Sequence, residues 1–459
     1  MTSCFRHALA TFSSAATLGL SGWGVSAETL ESALARAYRS NPTLGAQRAS
    51  VRATDENVAR ARSLGRPIVT ATADIGSTYT ESRNDFGSTF ETTFPSGYGV
   101  QINQSLFNGN RTLNATRQAQ SQVLGARESL RNTESTVLFN GAQAYMNVLR
   151  DTAILHLQRN NVEVIDEQLL QTRARFNAGE VTRTDVAQAE ARLAAGRSHV
   201  SVAESNLRAS IALFRQVIGV QPTQLAPGRP LDRLLPRSVQ AAVAIGLREH
   251  PAILSALHAT DAAELQVKVT EGELFPTVSV TGSATQRYNL QEPGDQRFGA
   301  SAVVRLSVPI YEGGEVYARV RQAKETVSQR RIEAEVTRDQ VRTTVLSAWG
   351  QLEASRAQIN AADAQVAAAE VALAGVREEA RVGQRTTLDV LNAQQELLTA
   401  RVNLITAQRD RVVNSFAVVQ AMGRLSTRVL GLSVAQYNSR AHFDQVEDLW
   451  IGVRTPDGR

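Results

Sequence analysis

Two short segments hold the residues whose types and spacing point to chemistry. Thr182-Arg183-Thr184-Asp185 and Thr386-Thr387-Leu388-Asp389 each place a carboxylate three residues after a hydroxyl, with Arg385 just ahead of the second segment and Asn392 one helical turn beyond it. That spacing fits a capping box, in which hydroxyl and carboxylate satisfy the free N–H groups of a helix start. Carboxylates at such a turn could instead line a gate, and one carboxylate can do both. Gly179 and Gly383 each stand six residues ahead of these aspartates, and glycine commonly relieves a chain reversal after a helix.

Other chemistries are excluded by what surrounds these segments. The histidines do not cluster at metal-ligand spacing, and the glycines after Phe107 and Tyr311 lack the Lys-Ser or Lys-Thr of a phosphate cradle. Net charge is +5, and the arginines are scattered without a basic block, so no nucleic-acid partner is expected. No convergent catalytic set is present; neither enzymatic activity nor a cofactor or metal is expected. Arg6 and His7, an apolar stretch from Ala8 to about Leu20, and Val25-Ser26-Ala27 have the layout of a secretory leader over residues 1–27. The only cysteine, Cys4, would leave with it, which suits an oxidising envelope.

The elements that must position the two segments are duplicated. Asn41-Pro42 recurs as His250-Pro251 at a shift of 209; beyond the strand-like runs the shift is 204, pairing Ala144-Tyr145 with Ala348-Trp349, Gly179 with Gly383, and Asp185-Val186 with Asp389-Val390. The five missing residues belong to one loop, about Thr80 to Thr93 in the first copy and Asn289 to Arg297 in the second. Two structural repeats are therefore read, 28–222 and 237–426, joined by a proline-rich linker over 223–236 and followed by a tail over 427–459.

Proline-free tracts with a seven-residue apolar period follow the runs in each copy. Val162, Ile165, Leu169, Thr172 and Phe176 return as Val186, Ala189, Leu193 and Gly196 after the turn, and the second copy matches with Val366, Ala369, Leu373, Val376, Val390, Ala393 and Leu397. This predicts a long helical hairpin per copy, with a coiled-coil seam of small knobs. The stretch from Asn110 to Ala178 alone would reach about 100 Å at about 1.5 Å per residue.

Ahead of each hairpin lie two alternating runs, about 68–80 and 97–107 in the first copy, and 276–288 and 298–309 in the second, with Tyr79, Tyr98, Tyr288 and Phe298 near their loop-side ends. Alternation with interfacial aromatics fits transmembrane strands and, on pattern alone, equally fits water-soluble hairpins. The leader and the lack of a second layer to pack against favour the membrane. Four strands cannot close a barrel and open edges are not tolerated in lipid, so several chains must contribute. Two chains would give eight strands and three would give twelve.

The duplicated strand pair and hairpin, with Gly-x-x-x-x-x-Asp-Val at each turn and Arg381-Val382-Gly383-Gln384-Arg385-Thr386-Thr387-Leu388-Asp389-Val390-Leu391-Asn392-Ala393 as the most telling segment, resembles the TolC family of outer-membrane ducts. The resemblance covers about residues 28–426. It implies an α+β membrane protein: a homotrimer in which four strands per chain share a twelve-stranded β-barrel in outer-membrane lipid, and coiled-coil helices form an α-barrel through the periplasm. It also implies a passive exit duct for efflux or type I secretion, opened by a periplasmic adaptor and an inner-membrane transporter. Thr184, Asp185, Arg385, Asp389 and Asn392 match gate positions, and Gly179 and Gly383 match the tips that adaptors meet. Asn392 stands where the family has a second aspartate, Ala380 where it has a gate tyrosine, and Gln408 where it has an arginine. The alternative reading is a periplasmic coiled-coil adaptor, which normally has one hairpin per chain.

Overall fold

The computed structural model describes residues 27–84, 87–290, 292, 294–456 and 458. The expected leader therefore lies outside the described residues except for Ala27. Each copy runs through two short helices, strands and a helical hairpin. The first copy comprises α1 (Leu30–Ser40), α2 (Pro42–Ser63), β1 (Ile68–Ile75), β2 (Thr78–Asn84), β3 (Gly87–Thr93), β4 (Ser96–Asn108), α3 (Arg111–Asn177) and α4 (Arg183–Ile218). The second comprises α5 (Val239–Glu249), α6 (Pro251–Glu271), β5 (Thr277–Tyr288), β6 (Gln296–Ser307), α7 (Glu315–Arg381) and α8 (Thr387–Ala421), and the tail adds α9 (Ser439–Val446).

The sheet has the order β1-β4-β5-β6, antiparallel throughout, with β1 and β6 as open edges. Twelve residues, as in β5 and β6, extend about 40 Å at about 3.3 Å per residue, and a tilt of about 45° leaves enough height to cross a bilayer core. Both faces of β1 and β6 are exposed in the single chain, as a sheet between lipid and a pore requires. Arg287 pairs with Asp74 across β4 where Gly97 stands between them in register; a Cβ there would meet the Arg287 side chain at 2.6 Å. The pair therefore needs glycine on the middle strand.

Three boundaries differ from the sequence reading. The loop expected over Thr80 to Thr93 is instead a two-stranded ribbon, β2 paired with β3, pinned by Tyr79 stacked on Phe90 at 6.3 Å. Its Thr, Ser and Glu residues give no apolar alternation, so the strand signal was absent. The first run accordingly breaks at Gly76-Ser77, where Gly76 N–H donates to the Pro95 carbonyl. The last run ends at Ser307, because Pro309 cannot donate to a ladder and restricts Val308 before it.

Helices α3 and α7 contain 67 residues each, close to the 100 Å expected. The heptad seams are where the spacing places them: Ile165, Leu169, Ala189 and Leu193 in the first hairpin, and Leu373, Val390 and Leu397 in the second. The main core sits midway along the hairpins, where α1 and α5 pack on α3, α4, α7 and α8 around Tyr145, Phe214, Phe416 and Leu352. The linker is part of this belt. Residue Glu28 bridges to Leu225, the Tyr145 hydroxyl faces the carbonyls of Glu28 and Ala226 at 2.6 and 2.7 Å, and Asp232 accepts from Arg356 and Arg411. Burial pushes the Tyr145 phenol up to about 12, which keeps it a neutral donor.

Candidate functional site

The far ends of the hairpins, remote from the sheet, bring the expected site residues into two equivalent turns. Helix α3 ends in a Schellman arrangement: Gly179, at φ +80°, donates to the Phe176 carbonyl and Glu180 to that of Arg175, both at 2.9 Å. Helix α7 ends in the same way through Gly383, at φ +79°, with Gln384 donating to Glu379 at 2.9 Å. A left-handed conformation at these two points is why glycine recurs there. Space beside both is open, so each turn projects freely.

The returning helices start with capping boxes, so the structural reading of the Thr-x-x-Asp spacing holds. A carboxylate oxygen of Asp185 accepts from the backbone N–H and hydroxyl of Thr182 at 2.9 and 2.7 Å, and Asp389 accepts from those of Thr386 at 2.9 and 2.8 Å. Hydrogen bonds from the Thr182 hydroxyl and then its backbone hold Asp185 below the usual carboxylate range. For Asp389 the backbone N–H of Thr386 leads, then its hydroxyl, with Arg385 adding a favourable charge. Both carboxylates are thus fixed as anions on exposed turns. Arg385 donates to Glu379 at 2.9 Å, and that bond, followed by the charges of Glu379 and Asp389, raises its guanidinium further. Thr184 is exposed beside Asp185.

Asn392 is drawn to the other hairpin. Arg192, on α4, donates to its side-chain oxygen at 2.8 Å. Leu391 beside it enters the seam of the first hairpin against Ile165, Leu169 and Leu193, and Gln394 donates to the buried Asn161 at 3.2 Å. Higher up, Arg409 donates to Asn147 at 2.6 and 2.9 Å, joining α8 to α3 beside the position where the resemblance expected an arginine at 408. Asn392 was read from the sequence as a gate position, but its partner Arg192 and the cross-copy residues Gln394, Asn161 and Asn147 escaped the sequence reading. One signal was available, because Arg192 falls opposite Glu396 and Asn392 opposite Gln188 under the 204-residue shift, breaking the repeat.

Among the described residues no helix is long and apolar enough to cross a membrane, and no cluster of three or more His, Cys, Asp or Glu side chains could hold a metal. A chain with strands suited to lipid and helices about 100 Å long matches the family described as outer membrane efflux protein over residues 33–220 and 245–424. The chain belongs to this family. Among relatives, it is 43% identical to the outer membrane efflux protein BepC of Brucella suis, over 96% of this chain and 95% of that one. It is 28% identical to the outer membrane protein TolC of Escherichia coli, over 90% and 86%. In fold it is similar to the CmeC outer membrane channel of Campylobacter jejuni, with a TM-score of 0.77 over 97% of each chain at 16% identity. As an outer membrane efflux protein, the chain is an outer-membrane channel whose helices extend into the periplasm, and the adaptor reading is set aside.

Proposed function

We propose that three copies close a duct of twelve strands and twelve long helices, and that its periplasmic end is a gate opened by an adaptor and an inner-membrane transporter. The observation that carries the assembly is the pair of unpaired edges, β1 and β6, since a strand edge inside lipid leaves N–H and C=O groups unsatisfied at several kcal/mol each. Helix α7 continues below the β6 edge and exposes Ile332, Val336, Leu346 and Val371, a face suited to the neighbouring chain. Residues 1–27 act as the leader that brings the chain out of the cytoplasm.

At the gate, Asp185 and Asp389 do two things: they cap the returning helices and set negative charge around the narrow end. Arg385 limits the repulsion between symmetric copies of Asp389, and Thr184 adds a polar contact. The Gly179 and Gly383 turns present the tips to the adaptor. The substrate passes without a chemical step, and the energy comes from the inner-membrane partner.

Cysteines placed on β1 at Thr72 and scanned along β6 around Ser301 test the assembly. Oxidation should give covalent bands that end at three chains. A ladder ending at two, or the absence of any cross-link across the scan, would overturn the trimer. Single-channel current in a planar bilayer tests the gate: a small uniform conductance that rises in Asp389→Ser or Arg385→Ser supports it, and unchanged conductance in both removes these residues from it.

A further inference from the structure

The segment beyond residue 427 climbs along α2 toward the membrane in regular steps. The guanidinium of Arg48 lies against the rings of Tyr38 and Tyr437, at 4.5 and 5.3 Å. One step higher, His442 Nδ1 lies 3.1 Å from the buried Asp55 carboxylate, and Phe443 packs on Val58, Ala119 and Val123. Higher still, Arg62 donates to Glu447 at 2.9 Å and pairs with Asp448. Finally Arg66 donates to the Leu449 carbonyl at 2.7 Å, with its guanidinium 4.6 Å above the Trp450 ring. The partners on α2 at 48, 55 and 62 recur every seven residues, about two turns, so the segment follows one face of α2 to its end, and Arg66 lies three residues beyond that end. Arg66 stands two residues before β1 begins at Ile68.

At that height the segment changes character. Trp450 is 65% exposed, Ile451 90% and Val453 100%, with Leu449 also open. The acids just before them, Glu447 and Asp448, are engaged by Arg62, while Arg66 and Arg454 flank the apolar run with positive charge. Leu64, Ile68 and Val69, at the foot of β1, are exposed alongside. An indole with a cation over its face, at the base of transmembrane strands, is what a bilayer interface favours. Tryptophan sits at headgroup depth there, and arginine reaches the phosphates while its stem stays among apolar groups.

We infer that residues 449–453, held by Arg66, are an interfacial anchor seated in the periplasmic leaflet of the outer membrane, with phospholipid as the partner. Lipid is favoured over a second copy of the chain by continuity: the apolar run meets the membrane-embedded sheet at the foot of β1. The flanking cations also match phosphate headgroups. The anchor fixes the height of the equatorial belt beneath the membrane, because the same segment is tied to α2 at each lower step.

Depth of Trp450 tests this. The purified channel, as Trp349→Phe and as Trp349→Phe with Trp450→Phe, is reconstituted into phosphatidylethanolamine and phosphatidylglycerol vesicles containing lipids brominated either near the top or near the end of the acyl chain. The Trp450 signal, taken as the difference between the two proteins, should be quenched several-fold more by the shallow bromines than by the deep ones, and only weakly by aqueous acrylamide. Strong acrylamide quenching with none from bromolipid would overturn the anchor in favour of a solvated tail. Shielding from both would overturn it in favour of cover by a neighbouring chain. If Trp349→Phe lowers the yield, a nitroxide on Val453→Cys reads the same depth through oxygen against aqueous relaxant.

Discussion

Arg192 on the first hairpin donates to Asn392 on the second at 2.8 Å, although the two residues are 200 apart in sequence. This exposed bond, one turn beyond the Asp389 cap, ties the hairpins of one chain together near their tips. A hydrogen bond from a charged donor in such a place is worth at most about 1 kcal/mol per chain, or about a fivefold shift in a local opening equilibrium. Arg192→Ala should therefore raise open probability in single-channel records, and Asn392→Ala should do the same. The double variant should add little to either one. Additive effects would show that the two side chains act separately.

Charge and capping at Asp389 can be separated by choice of substituent. Asparagine keeps an oxygen able to accept from the Thr386 N–H but removes the charge; serine is too short to reach back in the same way. Both Asp389→Asn and Asp389→Ser should lower the preference for cations in reversal-potential measurements, but only the serine variant should add flicker from a fraying turn. The selectivity difference should shrink between 0.1 M and 1 M salt, as the screening length falls from about 10 Å to about 3 Å. Equal flicker in the two variants would mean that the box contributes nothing to closure.

The long helices and their seams were legible because they depend on patterns within a single element. Absence of proline, the seven-residue period and the paired glycines are local, and Leu169, Leu193, Leu373 and Leu397 are buried where the period places them. The β2–β3 ribbon was not legible: apart from Thr93 its described side chains are exposed on both sides, so no face of it carries an apolar code. Cross-copy contacts were hidden for another reason. Leu391 sits directly after Val390, and a single heptad seam has room for only one of them. The second faces the other hairpin, which a one-seam reading does not represent. At the turns, the two readings of Asp185 and Asp389 were legible together, and the capping half is visible in the hydrogen bonds.

The Tyr145 hydroxyl joins the linker and the start of α1 to the middle of α3, where it is fully buried. Tyr145→Phe keeps the ring packed against Phe214, at 6.3 Å, and removes only the donor. The loss should be about 1–3 kcal/mol, because the part-buried Ala226 carbonyl is left without the Tyr145 donor. Thermal unfolding in detergent should register it as a lower midpoint, and proteolysis within residues 223–236 should quicken. An unchanged midpoint would show that the Glu28–Leu225 bridge and the Asp232 ion pairs hold the linker without the Tyr145 hydroxyl.

His250 and Asn41 are repeat partners, and both cap the helix that follows. Asn41 accepts from the Thr43 N–H at 3.0 Å through its side-chain oxygen, and His250 accepts from the Ala252 N–H at 3.1 Å through Nδ1. A ring nitrogen accepts only while unprotonated, and burial pushes the His250 imidazole below its ordinary 6.5. Between the ordinary and the lowered value the unfolded chain binds more protons than the folded one. This contribution to stability is therefore fully present above 6.5, is lost progressively as pH falls toward the folded value, and changes no further below it. The midpoint of unfolding should fall on acidification through this range. His250→Asn installs the cap that the first copy already uses, with no proton to gain, and should flatten that pH dependence while leaving stability at pH 8 nearly unchanged. An unaltered slope in the variant would assign the acid sensitivity to other groups.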